Sequence, residues 1–215
     1  MPVAAVLADV LAATRTSYDT VAVDYAEHFR DELARQPVER SVLSLFADVV
    51  RGPVLDVGCG TGYATGELAR LGVGVSGLDL SPGMLEVARR RLPQVTFEVG
   101  SMLALPHADG TFGGVVAWYS TIHVPDADLP DALAELARVL RPGGHLLLGF
   151  QVGTEPRRMT TALGHEIALD FHRRQPAHMA ELLAAAGVPV RVRTVRQAQD
   201  GERTPQAFLL AQKPA

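Results

Sequence analysis

Val54-Leu55-Asp56-Val57-Gly58-Cys59-Gly60-Thr61-Gly62 is the stretch on which the fold turns. A short apolar run, Val54 to Val57, opens into a loop with glycine at every second position, and Tyr63 to Leu71 then carries helical spacing that stops near Gly72. A strand that feeds a glycine loop and then a helix lets backbone approach a ligand closely and turns helix N-terminal amides toward it. Dinucleotide sites space their glycines G-x-G-x-x-G around a pyrophosphate. Here the third glycine arrives one residue early, and the Asp56 carboxylate would repel a pyrophosphate by several kcal/mol if desolvated. A ligand bearing an ammonium or sulfonium group meets no such repulsion.

Outward from the loop, strands and helices alternate. Val73 to Leu78 reads as a second strand closed by Asp79, about 20 residues beyond the loop, where doubly wound folds set a carboxylate on ribose hydroxyls; a cap or a surface charge is the alternative for Asp79. Ser81 and Pro82 supply an N-cap and a first-turn proline for a helix to about Leu92. Val95 to Val99 and Gly114 to Trp118 read as strands three and four, and Leu129, Leu133, Leu136 and Leu140 mark one helix face. Arg141-Pro142-Gly143-Gly144 reads as a turn before a fifth strand, His145 to Phe150. Continuous apolar strands between helices predict an α/β fold, Rossmann-like and doubly wound, with a mostly parallel sheet.

Gln151 to Gln175 has mixed polarity and yields no assignment beyond short helix or strand pieces. Pro176 to Ala186 predicts a helix with Met179, Leu182 and Leu183 inward and Gly187 as its stop. Val190, Val192 and Thr194 alternate with arginines, and a turn at Asp200-Gly201 would join them antiparallel to Ala207–Ala211. Before the first strand, Val6, Leu7, Val10 and Leu11, and then Val42, Leu45, Phe46 and Val49, carry helical periodicity.

Composition narrows the function classes. The 215 residues hold 20 Lys and Arg against 24 Asp and Glu, a net charge of −4, so the basic footprint of a phosphate-backbone binder is missing and nucleic acid is not expected as a partner. The one cysteine, Cys59, forms no internal disulfide and suits a reducing compartment. Met1-Pro2-Val3 lacks a basic signal-peptide region, and no run reaches the roughly 18 apolar residues of a membrane span. A cytoplasmic protein without a membrane partner is expected, as monomer or homodimer.

At Leu55 to Gly62, at Gly77-Leu78-Asp79-Leu80-Ser81-Pro82-Gly83-Met84-Leu85 and at Leu140 to Gly144, the chain resembles the class I S-adenosylmethionine-dependent methyltransferases, in particular the small-molecule branch labelled type 11 or type 25. The resemblance runs from about Val54 to Phe150. It implies a seven-stranded sheet whose last strand is antiparallel, S-adenosylmethionine as cofactor with S-adenosylhomocysteine as product, and no metal. It further implies that Gly58, Cys59, Gly60 and Gly62 hold the methionine part beside Asp56, that Asp79 takes both ribose hydroxyls, and that Ser101 and Met102 meet the adenine between Leu80 and Leu103. Met84 and Trp118 complete this set. Many relatives carry aspartate where Ser101 stands; a serine oxygen accepts the same hydrogen bond more weakly because it is uncharged. Gly113-Gly114 likewise replaces a frequent aspartate. On this reading residues 1–215 form one domain, with a helical cap at 1–50, a cofactor-binding core at 53–150, a substrate-covering segment and helix at 151–187 and a strand pair at 188–215.

Methyl transfer is an in-line displacement, so positioning and water exclusion dominate, and a base is needed only where the nucleophile must lose a proton. Trp118-Tyr119-Ser120-Thr121-Ile122-His123 follows strand four at the mouth of the sheet. Tyr119 and His123 are the catalytic candidates, His123 as base or acceptor contact against a structural, hydrogen-bonded histidine. His165 and His172, in the segment expected to cover the substrate, are the rivals of His123, each against the reading of a surface histidine. In similar methyltransferases tyrosines such as Tyr18 and Tyr25 close over the cofactor or direct a hydroxyl at the substrate, against plain aromatic packing. Arg173-Arg174, Arg191, Arg193 and Arg196 read as a solvated strand face and helix lead-in rather than as an anion site. The expected reaction is methylation of a small-molecule acceptor, most readily at oxygen, with nitrogen or carbon open. A nicotinamide-dependent oxidoreductase and a non-catalytic regulator that binds the cofactor are the alternatives.

Overall fold

A computed structural model describes residues 3–199 and 201–215, with side chains from Leu7 onward. Helices α1 (Val3–His28), α2 (Glu32–Arg35) and α3 (Pro37–Val49) precede β1 (Val54–Val57), α4 (Tyr63–Arg70), β2 (Val75–Asp79), α5 (Pro82–Arg91), β3 (Phe97–Val99) and β4 (Phe112–Trp118). Then come α6 (Leu129–Val139), β5 (Leu140–Gln151), β6 (Arg157–Ala162), β7 (His165–Phe171), α7 (Pro176–Ala185), β8 (Val190–Arg196) and β9 (Gln206–Gln212). Seven strands make one sheet in the order β3-β2-β1-β4-β5-β9-β8, and β6-β7 stand apart as a hairpin. Only β9 runs against its neighbours β5 and β8, so the expected α/β fold with one reversed strand is present.

The strand sequences explain this layering. Every residue of β1 and β4 is buried, because helices cover both faces and leave no solvent side to alternate with. On one face Leu129, Leu133 and Leu136 of α6 pack with Met179 and Leu183 of α7; on the other, Leu43 and Phe46 of α3 meet Leu68 of α4. Gly113 and Gly114 stand where β4 passes the end of α3: a Cβ on Gly113 would lie 1.6 Å from the Arg51 carbonyl oxygen, and one on Gly114 2.5 Å from Val50 Cγ2. An aspartate has no room there. At α5, Ser81 Oγ accepts from Met84 N at 3.0 Å, the cap that its position before Pro82 announces.

Several expectations change. Arg141-Pro142-Gly143-Gly144 is not a separate turn but a bulge inside β5: the ladder to β4 pairs Phe112 with Leu140 and resumes at Gly114 with His145. On α3, Leu45 is 37% exposed and Leu43 is its buried counterpart. The arginine alternation on β8 holds for exposed Arg191 and Arg193 and fails at buried Arg196, while Val192 is 39% exposed. Gln151 to Gln175 contains the hairpin, turned at Leu163-Gly164, both with positive φ. Val6 and the Asp200 half of the expected β8–β9 turn lie outside the described side chains and residues, as do Met1 and Pro2.

Helix α1 is tied across the carboxyl edge of the sheet. Ser17 Oγ accepts from Ala168 N at 2.9 Å, Asp19 Oδ1 accepts from Ser81 Oγ and Gly83 N at 2.6 and 2.8 Å, and Asp24 Oδ2 meets His165 Nε2 at 2.7 Å. Val21 and Ala22 bury against Met84, Val87, Ile167 and Leu169, joining α1, α5 and the hairpin into a cover.

Candidate active site

Beneath this cover, at the carboxyl ends of the parallel strands, lies a cavity of about 700 Å³. Strand order reverses between β1 and β4, and open α/β sheets bind ligands at that crevice. The β1 loop contributes Asp56, Gly58, Cys59 and Gly60; the β2 end Asp79 and Leu80; α5 Met84; the β3 end Ser101, Met102 and Leu103; the β4 end Trp118, Tyr119 and His123; and α1 Tyr18 and Tyr25. Two expected residues are not on its wall. Gly62 instead caps α4 with φ 80°, its missing Cβ leaving space for Leu92, and His165 faces Asp24 on the outer side of the cover.

The glycine loop folds back on β2, Gly58 N donating to Leu78 O at 2.7 Å. Gly58 has φ 71° and its Cβ would stand 2.3 Å from Ser120 Cβ, whereas at Gly60, φ 54°, nothing lies within 4 Å. The chain therefore leaves an open cradle above Gly60. Asp79 forms its wall: Oδ2 accepts from Gly60 N at 2.7 Å and Oδ1 from Ser81 N at 2.8 Å. Burial raises the Asp79 pKa against those two hydrogen bonds. Asp56 is fully buried, accepts on Oδ2 from Thr65 Oγ1 at 2.6 Å and has no partner for Oδ1. Burial lifts its carboxyl to about 7, the Thr65 hydrogen bond opposing. At the β3 end, Ser101 Oγ accepts from Leu103 N at 3.2 Å, so it shapes its own turn and keeps one lone pair for a ligand.

Across the cavity the structure joins two candidates 105 residues apart. Tyr18 Oη lies 2.7 Å from His123 Nε2, and His123 Nδ1 lies 3.0 Å from the Asp170 carbonyl. A carbonyl only accepts, so Nδ1 carries the proton and Nε2 accepts from the Tyr18 hydroxyl. Burial pushes the His123 pKa down to about 4, the Asp170 hydrogen bond opposing it, and the imidazole is neutral at pH 7. Its ring sits 4.8 Å from Phe171. Tyr25 is edge-on to Tyr18 with centroids 6.1 Å apart, and burial followed by the Asp79 charge pushes its hydroxyl up to about 12. Tyr119, in a left-handed conformation with φ 53°, turns away from His123 and packs edge-on to Trp118 and Phe208.

A family profile described as "Methyltransferase domain" matches residues 54–144, the stretch from β1 into β5 that carries the cradle, Asp79 and His123. Over this stretch, 54–144, the chain is similar to the class I S-adenosylmethionine-dependent methyltransferases. Among curated relatives, an O-methyltransferase of Penicillium expansum is 40% identical over 110 residues, 48% of this chain and 39% of its own length. A demethylmenaquinone methyltransferase of Renibacterium salmoninarum is 36% identical over 148 residues, 63% of this chain and 62% of its own. The chain thus spans between about a third and three fifths of the curated relatives it matches. In fold it is similar to the Burkholderia thailandensis 1,6-didemethyltoxoflavin-N1-methyltransferase bound to S-adenosylhomocysteine, with TM-score 0.76, 21% identity, and 97% and 91% of the two chains covered.

The residues of the matched methyltransferase domain fit S-adenosylmethionine. The unpartnered Asp56 Oδ1 and the open cradle at Gly60 suit a cationic, close-lying ligand, and each Asp79 oxygen keeps a lone pair for a hydroxyl donor. Among the described residues no His, Cys, Asp and Glu group is arranged to hold a metal ion, and no helix is long and apolar enough to cross a membrane. Sequence reading missed Phe171, which the alternation of Ile167, Leu169 and Phe171 with Glu166, Ala168 and Asp170 could have revealed. The reading of Arg174 as part of a solvated strand face and helix lead-in fails: it is 3% exposed and donates to Thr121 O and Val124 O, fixing the segment that carries His123. No local pattern marks it.

Proposed function

We propose that the protein transfers a methyl group from S-adenosylmethionine to an oxygen of a small-molecule acceptor held beneath α1 and the β6–β7 hairpin. When bound, the cofactor supplies the methyl as an electrophile on a sulfonium. Gly58, Cys59 and Gly60 with Asp56 would hold its methionine part, Asp79 its ribose, and Ser101, Met102, Leu80 and Leu103 its adenine, with Met84, Tyr25 and Trp118 closing the walls. Residues 151–187 cover the acceptor, and residues 1–50 the cofactor.

The observation that carries the acceptor side is the Tyr18–His123 hydrogen bond on the cavity wall. An acceptor hydroxyl that donates to Tyr18 Oη can pass its proton on as Tyr18 hands its own to Nε2. Storing that proton on a group of pKa about 4 at pH 7 costs about 4 kcal/mol, at roughly 1.4 per unit, so the pair moves the proton only as the new bond forms. Tyr119, directed elsewhere, serves as wall. The family resemblance and the O-methyltransferase among the relatives support oxygen. The single buried thiol, Cys59, suits a reducing cytoplasm.

Calorimetry with S-adenosylhomocysteine and with NAD, followed by a screen of phenols, carboxylates and amines for cofactor-dependent methylation, tests the proposal. Binding of S-adenosylhomocysteine, turnover on a hydroxyl acceptor and a large fall in kcat for Tyr18→Phe are expected. NAD binding alone, or a tight product cofactor with no turnover on any acceptor, overturns it.

A further inference from the structure

Three arginines on the cavity wall have no acid partner among the described residues. Arg157 opens β6, Arg173 follows β7 and Arg203 precedes β9, and all three line the cavity. Among the described residues none of their guanidinium groups makes a salt bridge or a hydrogen bond, whereas neighbouring arginines are committed: Arg158 to Asp170, Arg174 to Asp126, and Arg196 to Glu39 and Glu202. Glu202, next to Arg203 in sequence, is used by Arg196 and by Gln199 N. Arg173 Nε is buried with no partner, and its stem lies over Gly153, where a Cβ would come within 3.0 Å of Arg173 Cβ and Cδ.

We propose that Arg157, Arg173 and Arg203 form an anion-binding subsite that anchors a carboxylate or phosphate group of the methyl acceptor, away from the atom that is methylated. The proposal rests on the methyltransferase reading for the word acceptor, and on geometry for the anion. Burial together with the charges of Arg203 and Arg173 lowers the Arg157 pKa, as expected of like charges gathered without a counterion. A guanidinium fork matches a carboxylate or phosphate bidentately. Arg196 cannot serve this purpose, because its Nε, Nη1 and Nη2 are already spent on Glu39, Glu202 and Gln197 O.

The placement agrees with a tail rather than a reactive group. Arg157 pairs across the hairpin with Phe171, whose ring touches His123. Gln151 at the end of β5 pairs with Gln206 at the start of β9, and these ends neighbour Arg173 and Arg203. β5 and β9 lie two and three strands from the glycine loop on β1, roughly 10 to 15 Å at about 4.8 Å per strand. An acceptor anchored there would hold its charge on the β5–β9 side of the cavity, away from the glycine loop.

The test uses the full chain saturated with S-adenosylhomocysteine, titrated calorimetrically at constant ionic strength with benzoate, phenyl phosphate and benzamide. One or both anions should bind at least about tenfold more tightly than neutral benzamide, the stronger of the two assigning carboxylate or phosphate, and both should weaken as salt rises. Arg157→Met and Arg203→Gln should each lower anion affinity about threefold to tenfold and leave the affinity for S-adenosylhomocysteine unchanged. Arg203 is exposed, so its variant is expected to fold even where the others do not. Equal binding of benzamide and the anions, no anion binding, or wild-type anion affinity in both variants overturns the proposal. If S-adenosylhomocysteine fails to bind while the anions still bind in an arginine-dependent way, the methyltransferase reading falls and the anion subsite stands.

Discussion

Replacing His123 by glutamine should remove about 2 kcal/mol of acid sensitivity from the fold. The imidazole has a pKa of about 4 in the folded protein against 6.5 when unperturbed, with burial the largest cause. A depressed histidine pKa means that the unfolded chain binds the proton and the folded chain does not, so this group's stabilisation is complete above the unfolded value and is lost as pH falls through the interval. Taking these two values, the linkage integral from pH 7 to pH 5 is about 2 kcal/mol. Asp56 acts with the opposite sign: a carboxyl raised to about 7 keeps its proton in the folded state and gains stability on acidification by a comparable amount. Wild-type stability alone would hide both. The informative quantity is the wild-type change between pH 7 and pH 5 minus that of His123→Gln, from urea unfolding with equal m values. A difference near 2 kcal/mol is expected; the same pH dependence in both proteins would show that His123 titrates normally and is not desolvated under α1.

Asp79→Ala should weaken S-adenosylhomocysteine binding by roughly 1.5–3 kcal/mol, the scale of hydrogen bonds to a charged group, and unchanged calorimetric affinity would take Asp79 out of the site. Gly58→Ala and Gly60→Ala should separate folding from binding. The first drives Cβ to within 2.3 Å of Ser120 and should cost about 3 kcal/mol or more in denaturant unfolding, while the second has open space, costs about 1–2 kcal/mol of left-handed strain and abolishes cofactor binding. Arg174→Met should destabilise by about 2–3 kcal/mol by leaving the Thr121 and Val124 carbonyls without their donor, and should lower kcat more than cofactor affinity, because those carbonyls flank His123.

The glycine loop, the Asp79 strand end and the Ser81-Pro82 cap were legible because each is a local backbone requirement that restricts residue type at fixed spacing. Alternate glycines at 58, 60 and 62 answer positive φ, and Pro82 follows a side chain that caps Met84 N. The same locality misled at Arg141 to Gly144, where turn residues bend the chain without ending β5, since the sheet resumes pairing at His145. Leu45 was misplaced because Leu43 and Leu45, two residues and about 160° apart around α3, lie on opposite flanks of the Val42–Phe46 stripe, and only contact with the sheet decides which flank is buried.

The acceptor side left no such trace, and the reason is geometric. Tyr18, His123, Arg157 and Arg203 come from α1, the β4 exit, β6 and the approach to β9, and they meet only because β9 inserts between β5 and β8 while α1 crosses the carboxyl edge. No spacing in the sequence encodes that meeting: the Tyr18–His123 bond spans 105 residues, and no residue between them signals it. The family match ends at residue 144, so it contains the cradle and His123 but neither Tyr18 nor any of the three arginines. Relatives that share the matched stretch can therefore share the cofactor chemistry while differing wholly in what they methylate. It follows that the proposed acceptor is to be sought by probing the cover and the arginine wall, where charge and hydrogen-bonding capacity are still unspent, rather than by reading further into the part of the fold that the family profile matches.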